Sequence, residues 1–178
     1  MSVRATLRSV AMAFEGTDEL LQRTLAFVRD HRATYLSSGG VLGHIMDLTH
    51  AGARGLLPTL LLKTTGRRTG KTLTVPLIYG VYGDEWVVVG SKGGAPDHPD
   101  WFLNLQARPE VAFQVATQAF QTEWRVAAGE ERQRVWAYME HLYPPYATYR
   151  VAAGERTIPL VMLRPLRQLP VFKSDEGR

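Results

Sequence analysis

Three clusters in the chain carry residues able to grip a ligand or move a proton. The first is the run KTTGRRTGK at 63–71, which holds Lys63, Arg67, Arg68 and Lys71 with no acid among them. The second is Ser91-Lys92-Gly93-Gly94, a hydroxyl and a cation beside two glycines. The third is YPPYATY, with phenols at Tyr143, Tyr146 and Tyr149. The first cluster ends in G-K-T, as a phosphate-binding P-loop does. That motif requires four residues between its first glycine and the G-K pair, whereas Gly66 and Gly70 enclose three. A P-loop must also open a helix whose N-terminus meets the phosphates. Here TLTVPLIY follows, apolar, β-branched and interrupted by Pro76, which reads as a strand. The cluster is therefore a basic turn between two strands, either solvated or built to take an anion.

In the second cluster Gly93 and Gly94 allow positive φ or close approach of backbone to a ligand. Pro99 then starts a short helix in which Trp101, Leu103 and Leu105 pack, with Asn104 as a backbone cap or a ligand contact. In the third, Pro144 and Pro145 stop the preceding helix. The tyrosines form either a packing stripe or a pocket wall offering ring faces and hydroxyl donors to a flat substrate.

The elements that position these clusters follow from periodicity. Residues 17–36 read as a helix, capped by Thr17, with Leu21, Leu25 and Val28 at helical spacing and Ser37–Gly40 ending it. Residues 41–57 are ambiguous, and His44 and His50 there read as structural. Strands are expected at 58–63, 73–82, 85–90, 111–115, 120–126 and 158–163, and a helix at 130–142. Many short strands with few helices point to an α+β, mainly β fold with a closed or sandwich-like sheet, not a doubly wound one.

The 178 residues suffice for one domain with its own core, expected over 17–170 between an N-terminal arm (1–16) and a polar, disordered tail (171–178). There is no cysteine, which excludes disulfides and thiolate chemistry and fits a reducing, cytoplasmic setting. No histidine and carboxylate set stands at metal-ligand spacing, so no metal is expected. No apolar run reaches the ~18 residues of a membrane span. Arg4 and Arg8 on the arm leave open a peripheral contact with the inner face of the cell membrane. The net charge of +4 is compatible with nucleic acid or with a compact polyanion. Because the cations cluster on a glycine turn without flanking aromatics, the compact anion is favoured and nucleic acid is not expected.

The segments LLLKTTGRRTGKTLTVPLIY, VVVGSKGGAPDHPDWFLNL, YPPYATY and RTIPLVMLRP together resemble the deazaflavin-dependent nitroreductase family of actinobacteria, whose members use coenzyme F420. The resemblance implies a split β-barrel of the FMN-binding kind, with about six antiparallel strands and flanking helices. It implies hydride transfer from reduced F420 to an electron-poor small molecule: a quinone, a nitroaromatic, or an unsaturated ketone or lactone. F420 is a flat deazaflavin carrying a ribityl phosphate and an oligoglutamate tail. By the resemblance Lys63, Arg67, Arg68 and Thr69 would meet its phosphate or carboxylates, with Gly66 and Gly70 closing the turn. Pro76 and Leu77 would flank the ring. Ser91, Lys92, Gly93 and Gly94 would form a second loop backed by Trp101 and Asn104. Tyr143, Tyr146 and Tyr149 would wall the substrate and, with Ser91, supply hydrogen-bond donors. An FMN oxidoreductase on the same barrel, a non-catalytic F420 carrier and a homodimer remain as alternatives to be tested.

Overall fold

The computed structural model describes residues 26–173. Expectations for the arm, for the helix before residue 26 and for the tail beyond Lys173 lie outside these residues. Helix α1 covers 26–37. It is followed by β1 (Ile45–Asp47), β2 (Leu56–Thr65), β3 (Thr72–Tyr82), β4 (Glu85–Val89), α2 (Asp100–Ala107), β5 (Val111–Val115), β6 (Gln118–Val126), α3 (Gly129–Leu142), α4 (Pro145–Ala152) and β7 (Leu160–Leu169). All strand pairs are antiparallel, in the order β1-β2-β3-β4-β7-β6-β5, and β5 pairs back onto β2. Six strands thus close the expected split barrel, and β1 adds a short edge to the start of β2.

Alternation along the strands sorts side chains into three apolar layers. Leu60, Leu62, Val88, Phe113, Val161 and Leu163 fill the barrel interior, and Trp101, Phe102 and Leu105 of α2 pack on the same cluster. Val87, Val89, Leu160 and Met162 face outward against Val135 and Met139 of α3 and Tyr143 and Tyr146 beyond it. Leu61 and Ala112 face the other way, toward Tyr35 and Phe172. Tyr35 anchors α1 to the barrel. Its ring is fully buried, and its hydroxyl donates to the Thr59 carbonyl (3.1 Å) and accepts from the Ala116 amide (2.9 Å).

Several boundaries differ from the sequence reading. β7 continues six residues past Leu163 because a bulge opposite Gln121/Thr122 absorbs Leu166 and seats Pro165 against Thr122. Pro144 and Pro145 do end α3, but Pro145 also opens a second helix, where its missing N–H costs nothing. Residues 171–173 are not a loose tail. Phe172 is buried and its amide donates to Gln114 Oε1 at 2.6 Å.

Candidate active site

β3 is paired unevenly, and the site lies along the consequence. Thr72–Ile78 is bonded to β2 alone, and pairing with β4 begins only at Tyr79. One edge of β3 is therefore free of strand partners over that stretch. The Thr74 carbonyl on this edge accepts a long bond from Arg32 Nη1 of α1 (3.4 Å). Backbone groups alternate between edges, so Pro76, two residues on, presents its nitrogen to the same side. A proline is tolerated there because no ladder bond is lost.

An apolar cleft of about 860 Å³ runs beside this edge. Pro76, Leu77 and Ile78 form one wall, and Phe27 and Val28 of α1 with Met46 and Leu48 close it from outside. Among the described residues, Tyr143, Tyr146, Tyr149 and Ser91 supply its side-chain hydroxyls, and no charged residue lines it. The tyrosines form a T-shaped cluster, with Tyr143 and Tyr146 centroids 5.0 Å apart and Tyr146 and Tyr149 6.2 Å apart. Tyr143 Oη lies 3.3 Å from the Ala51 carbonyl and 3.4 Å from Tyr149 Oη. Burial pushes the phenols of Tyr143 and Tyr146 well above the ordinary tyrosine value. They stay protonated, and so remain donors, at any physiological pH.

The loop under the tyrosines is tightly held. Lys92, Gly93 and Gly94 have φ of 50°, 63° and 81°. A side chain at Gly94 would meet Ala152 Cβ at 2.7 Å and the Tyr149 carbonyl at 2.9 Å, so glycine is what lets this loop pack on α4. Gly93 faces open space, and Lys92 is exposed in a left-handed conformation that is uncommon outside glycine. Arg156 fixes the loop from behind, donating to the carbonyls of Ala95 (2.7 Å), Gly90 (3.0 Å) and Ser91 (2.7 Å).

The basic turn stands at the other end of β3. Gly66 and Lys71 close it through a 2.8 Å backbone bond, and a Cβ on Gly66 would meet Thr69 Oγ1 at 2.8 Å. Gly70 takes φ 69°. Arg67 turns back onto α2: its amide and Nη1 both donate to Asn104 Oδ1 at 3.1 Å, and Nη2 reaches Asp100 at 2.9 Å. Arg68, Thr69, Gly70 and Lys71 are exposed at the tip. Asn104 is buried, and its Nδ2 has no hydrogen-bond partner. Such a group costs stability unless something accepts from it.

The structure thus gathers Pro76, Leu77, Ser91 and the three tyrosines into one cleft, while Gly66–Gly70 form the turn that precedes β3 and do not line it. Trp101 packs against Phe102 at the barrel end. Lys63 is placed apart from Arg67. It faces outward from β2 into a second cavity of about 450 Å³ with Arg29, Arg32 and Lys173. The sequence reading missed the contributions of α1. The only signals were Phe27-Val28 and the i,i+3 pair Arg29/Arg32, which at helical spacing fall on neighbouring faces.

Comparison with known proteins agrees with this architecture. The profile of the family described as F420H(2)-dependent quinone reductase matches residues 27–165. An F420H(2)-dependent quinone reductase of Mycobacterium tuberculosis is 33% identical over 139 residues, which span 76% of this chain and 88% of the relative. The chain belongs to the F420H(2)-dependent quinone reductase family. Two solved structures are similar. An F420-H2 dependent reductase, FDR-A, is 36% identical with a TM-score of 0.55, covering 60% of this chain and 94% of that one. A protein described as a domain-swapped dimer is 31% identical with a TM-score of 0.57, covering 84% of this chain and 99% of that one. Family membership fits the F420-dependent oxidoreductase expected from the motifs. Among the described residues no helix is long and apolar enough to cross a membrane.

Proposed function

We propose that the chain reduces a quinone-type acceptor with F420H2, holding the deazaflavin ring in the tyrosine-walled cleft against Pro76 and Leu77. The observation that carries this reading is the change of character along one open strand edge. Uncharged cleft borders Pro76–Ile78, and exposed cations, Arg68 and Lys71, stand just before Thr72. A flat apolar ring bearing an anionic handle matches that order. The buried, unpartnered Asn104 amide beside Arg67 adds a donor in want of an acceptor, which suits an anionic ligand. Arg67 orients the turn, Gly66 and Gly70 shape it, and Arg68, Thr69 and the exposed Lys92–Gly93 bend offer donors to phosphate. FMN, with one phosphate and no tail, matches this basic complement less well.

The bound cofactor would supply a hydride. The protein's part is to position, to exclude water and to manage the proton. Phe27, Val28, Met46 and Leu48 keep the cleft apolar, which strengthens any hydrogen bond made inside it. A quinone that accepts a hydride develops negative charge on oxygen and then takes up a proton. Tyr149, hydrogen-bonded to Tyr143, and Ser91 are placed to donate to that oxygen. Tyr143 and Tyr146 hold the wall.

The test is a fluorescence titration of the purified protein with F420, followed by an anaerobic scan of quinones, nitroaromatics and enones. Micromolar binding with quinone-dependent oxidation of F420H2 supports the reading; binding without turnover on any acceptor leaves a carrier. The domain-swapped neighbour also favours a second copy of this chain as partner, and light scattering would show a dimer mass. A quinone acceptor would bring the protein to the inner membrane face from the cytoplasm, which vesicle co-sedimentation would detect.

A further inference from the structure

Arg156 stands just past α4, where its amide donates to the Ala153 carbonyl at 3.1 Å. Among the described residues its guanidinium bonds to backbone carbonyls alone: Nη1 to Gly90, Nη2 to Ser91 and Nε to Ala95. Asp97 acts on it only through space, opposing the burial that lowers its pKa. Arginine does not deprotonate in a protein, so the peptides it touches meet a full positive charge. The Gly90 and Ser91 carbonyls belong to the two peptides that flank Ser91, and Arg156 grips both at once. The peptides are trans, so the Ser91 N–H points away from the guanidinium. That N–H donates to no group among the described residues. Gly90 is pinned from the same segment: its amide donates to the Pro159 carbonyl (2.9 Å), and a side chain there would meet Pro159 Cγ at 2.5 Å. Lys92, next in the chain, is held at φ 50°. A non-glycine residue stays in that region only where its surroundings over-determine it, and the Arg156 fork supplies such a constraint.

Ser91 and Tyr149 both border the cleft, yet they come from separate parts of the chain, Ser91 from the loop after β4 and Tyr149 from α4. Arg156 follows α4 and reaches back to that loop, so it ties the element carrying one hydroxyl to the element carrying the other. It does not itself line the cleft. We propose, resting on the reading of the cleft above, that Arg156 is a positioning residue of the reaction: by gripping the peptides on both sides of Ser91 it holds that residue's N–H and hydroxyl in register with Tyr149, as donors to the acceptor oxygen on which charge develops. The bond to the Gly90 carbonyl also strengthens the Ser91 N–H as a donor, because the two groups share one peptide and polarise together. Donors fixed before the charge forms need no reorganisation when it does. A planar, rigid fork suits the task; a lysine ammonium carries the same charge on a flexible stem and lacks the fork.

The experiment measures kcat and KM for a quinone with F420H2, and the F420 dissociation constant by fluorescence, in wild type, Arg156→Gln, Arg156→Lys, Ser91→Ala and the double variant Arg156→Gln/Ser91→Ala. Arg156→Gln should lower kcat about a hundredfold, the scale of a misplaced donor, with little change in quinone KM or F420 affinity. Arg156→Lys should recover part of kcat. Ser91→Ala should lower kcat several-fold in wild type and hardly at all in the Arg156→Gln background, because residues that act through one another are not additive. Melting curves report whether each variant folds. Should the glutamine variant fail to fold, the lysine variant carries the test, with kcat lowered at unchanged F420 affinity and the same loss of sensitivity to Ser91→Ala. Unchanged kcat in a folded Arg156 variant overturns the proposal. So do additive effects of the two substitutions, and so does a loss of F420 affinity at unchanged kcat, since the loop would then serve the cofactor alone. A wild type that binds F420 but turns over no acceptor removes the reading of the cleft, and the proposal with it.

Discussion

The two halves of the open edge of β3 differ in nearly every property, although they are adjacent on one strand and lie under one helix. Beside Pro76–Ile78 the neighbours are Phe27, Val28 and a cluster of tyrosines, of which Tyr143 and Tyr146 have their pKa raised by burial. Beside Thr72–Thr74 the neighbours are arginines and lysines in an open cavity. The barrel interior meets this strand through Val75, Leu77 and Tyr79, and Leu77 borders the cleft as well. A strand left unpaired along one edge would ordinarily be a liability. Here that edge is covered by α1 at one side and borders the cleft.

Conditions that strike one half alone should separate the two. Alkali acts on the apolar half. The folded pKa values of Tyr143 and Tyr146 are raised by burial. Each lies above the unfolded value of ~10, so the stability they contribute is complete below pH ~10 and is lost as pH rises beyond it. The loss is at most roughly 1.4 kcal/mol per pH unit for each tyrosine. Denaturant melts between pH 9 and 11.5 should show a falling midpoint that begins near pH 10, with no comparable change between pH 7 and 9.

Gly94→Val comes next. The new side chain must displace Tyr149 backbone and adopt a strained φ, costing about 3 kcal/mol and shifting the tyrosine wall. Chemical denaturation and turnover should both suffer, while the phosphate binding proposed for the basic turn should be unaffected. Arg67→Ala acts at the charged end. It leaves Asn104 Oδ1 without its side-chain donor and Asp100 without its ion pair, for a loss of about 2 kcal/mol. Cofactor affinity should weaken while the tyrosine wall is unaffected, as near-UV circular dichroism would report. Tyr149→Phe is the mildest: about tenfold lower kcat with quinone and little change in melting, since its hydroxyl makes one long 3.4 Å contact. An unchanged kcat would pass the donor role to Ser91.

The sequence made the barrel readable where burial on both faces left unbroken apolar runs, as in LLL of β2 and WVVV of β4. It made the clusters readable because glycine spacing and charge sign survive without coordinates. It concealed what depends on distant packing. β1 has three residues and exists only because β2 offers Leu56–Pro58 an edge to pair with. The far half of β7 looks polar and proline-broken, and only the bulge makes it a strand. Gln114 resembles a surface residue in VAFQV, yet its amide ties Gly39 and Phe172 to the barrel, which is what brings α1 and Lys173 to the same cavity. Arg156 gave no periodic signal, because its role is to satisfy three carbonyls of a loop some sixty residues away. Arg67 looked like an anion ligand by charge alone; its partners Asp100 and Asn104 become visible only once α2 is docked.

The most direct measurement is a crystal structure of the protein with F420 bound. The ring should lie in the cleft between Pro76–Ile78 and the tyrosines, with its charged handle running toward Thr72 and the basic turn. A ring found elsewhere on the barrel, or one lying in the cleft with its phosphate directed away from Arg68 and Lys71, would contradict the account.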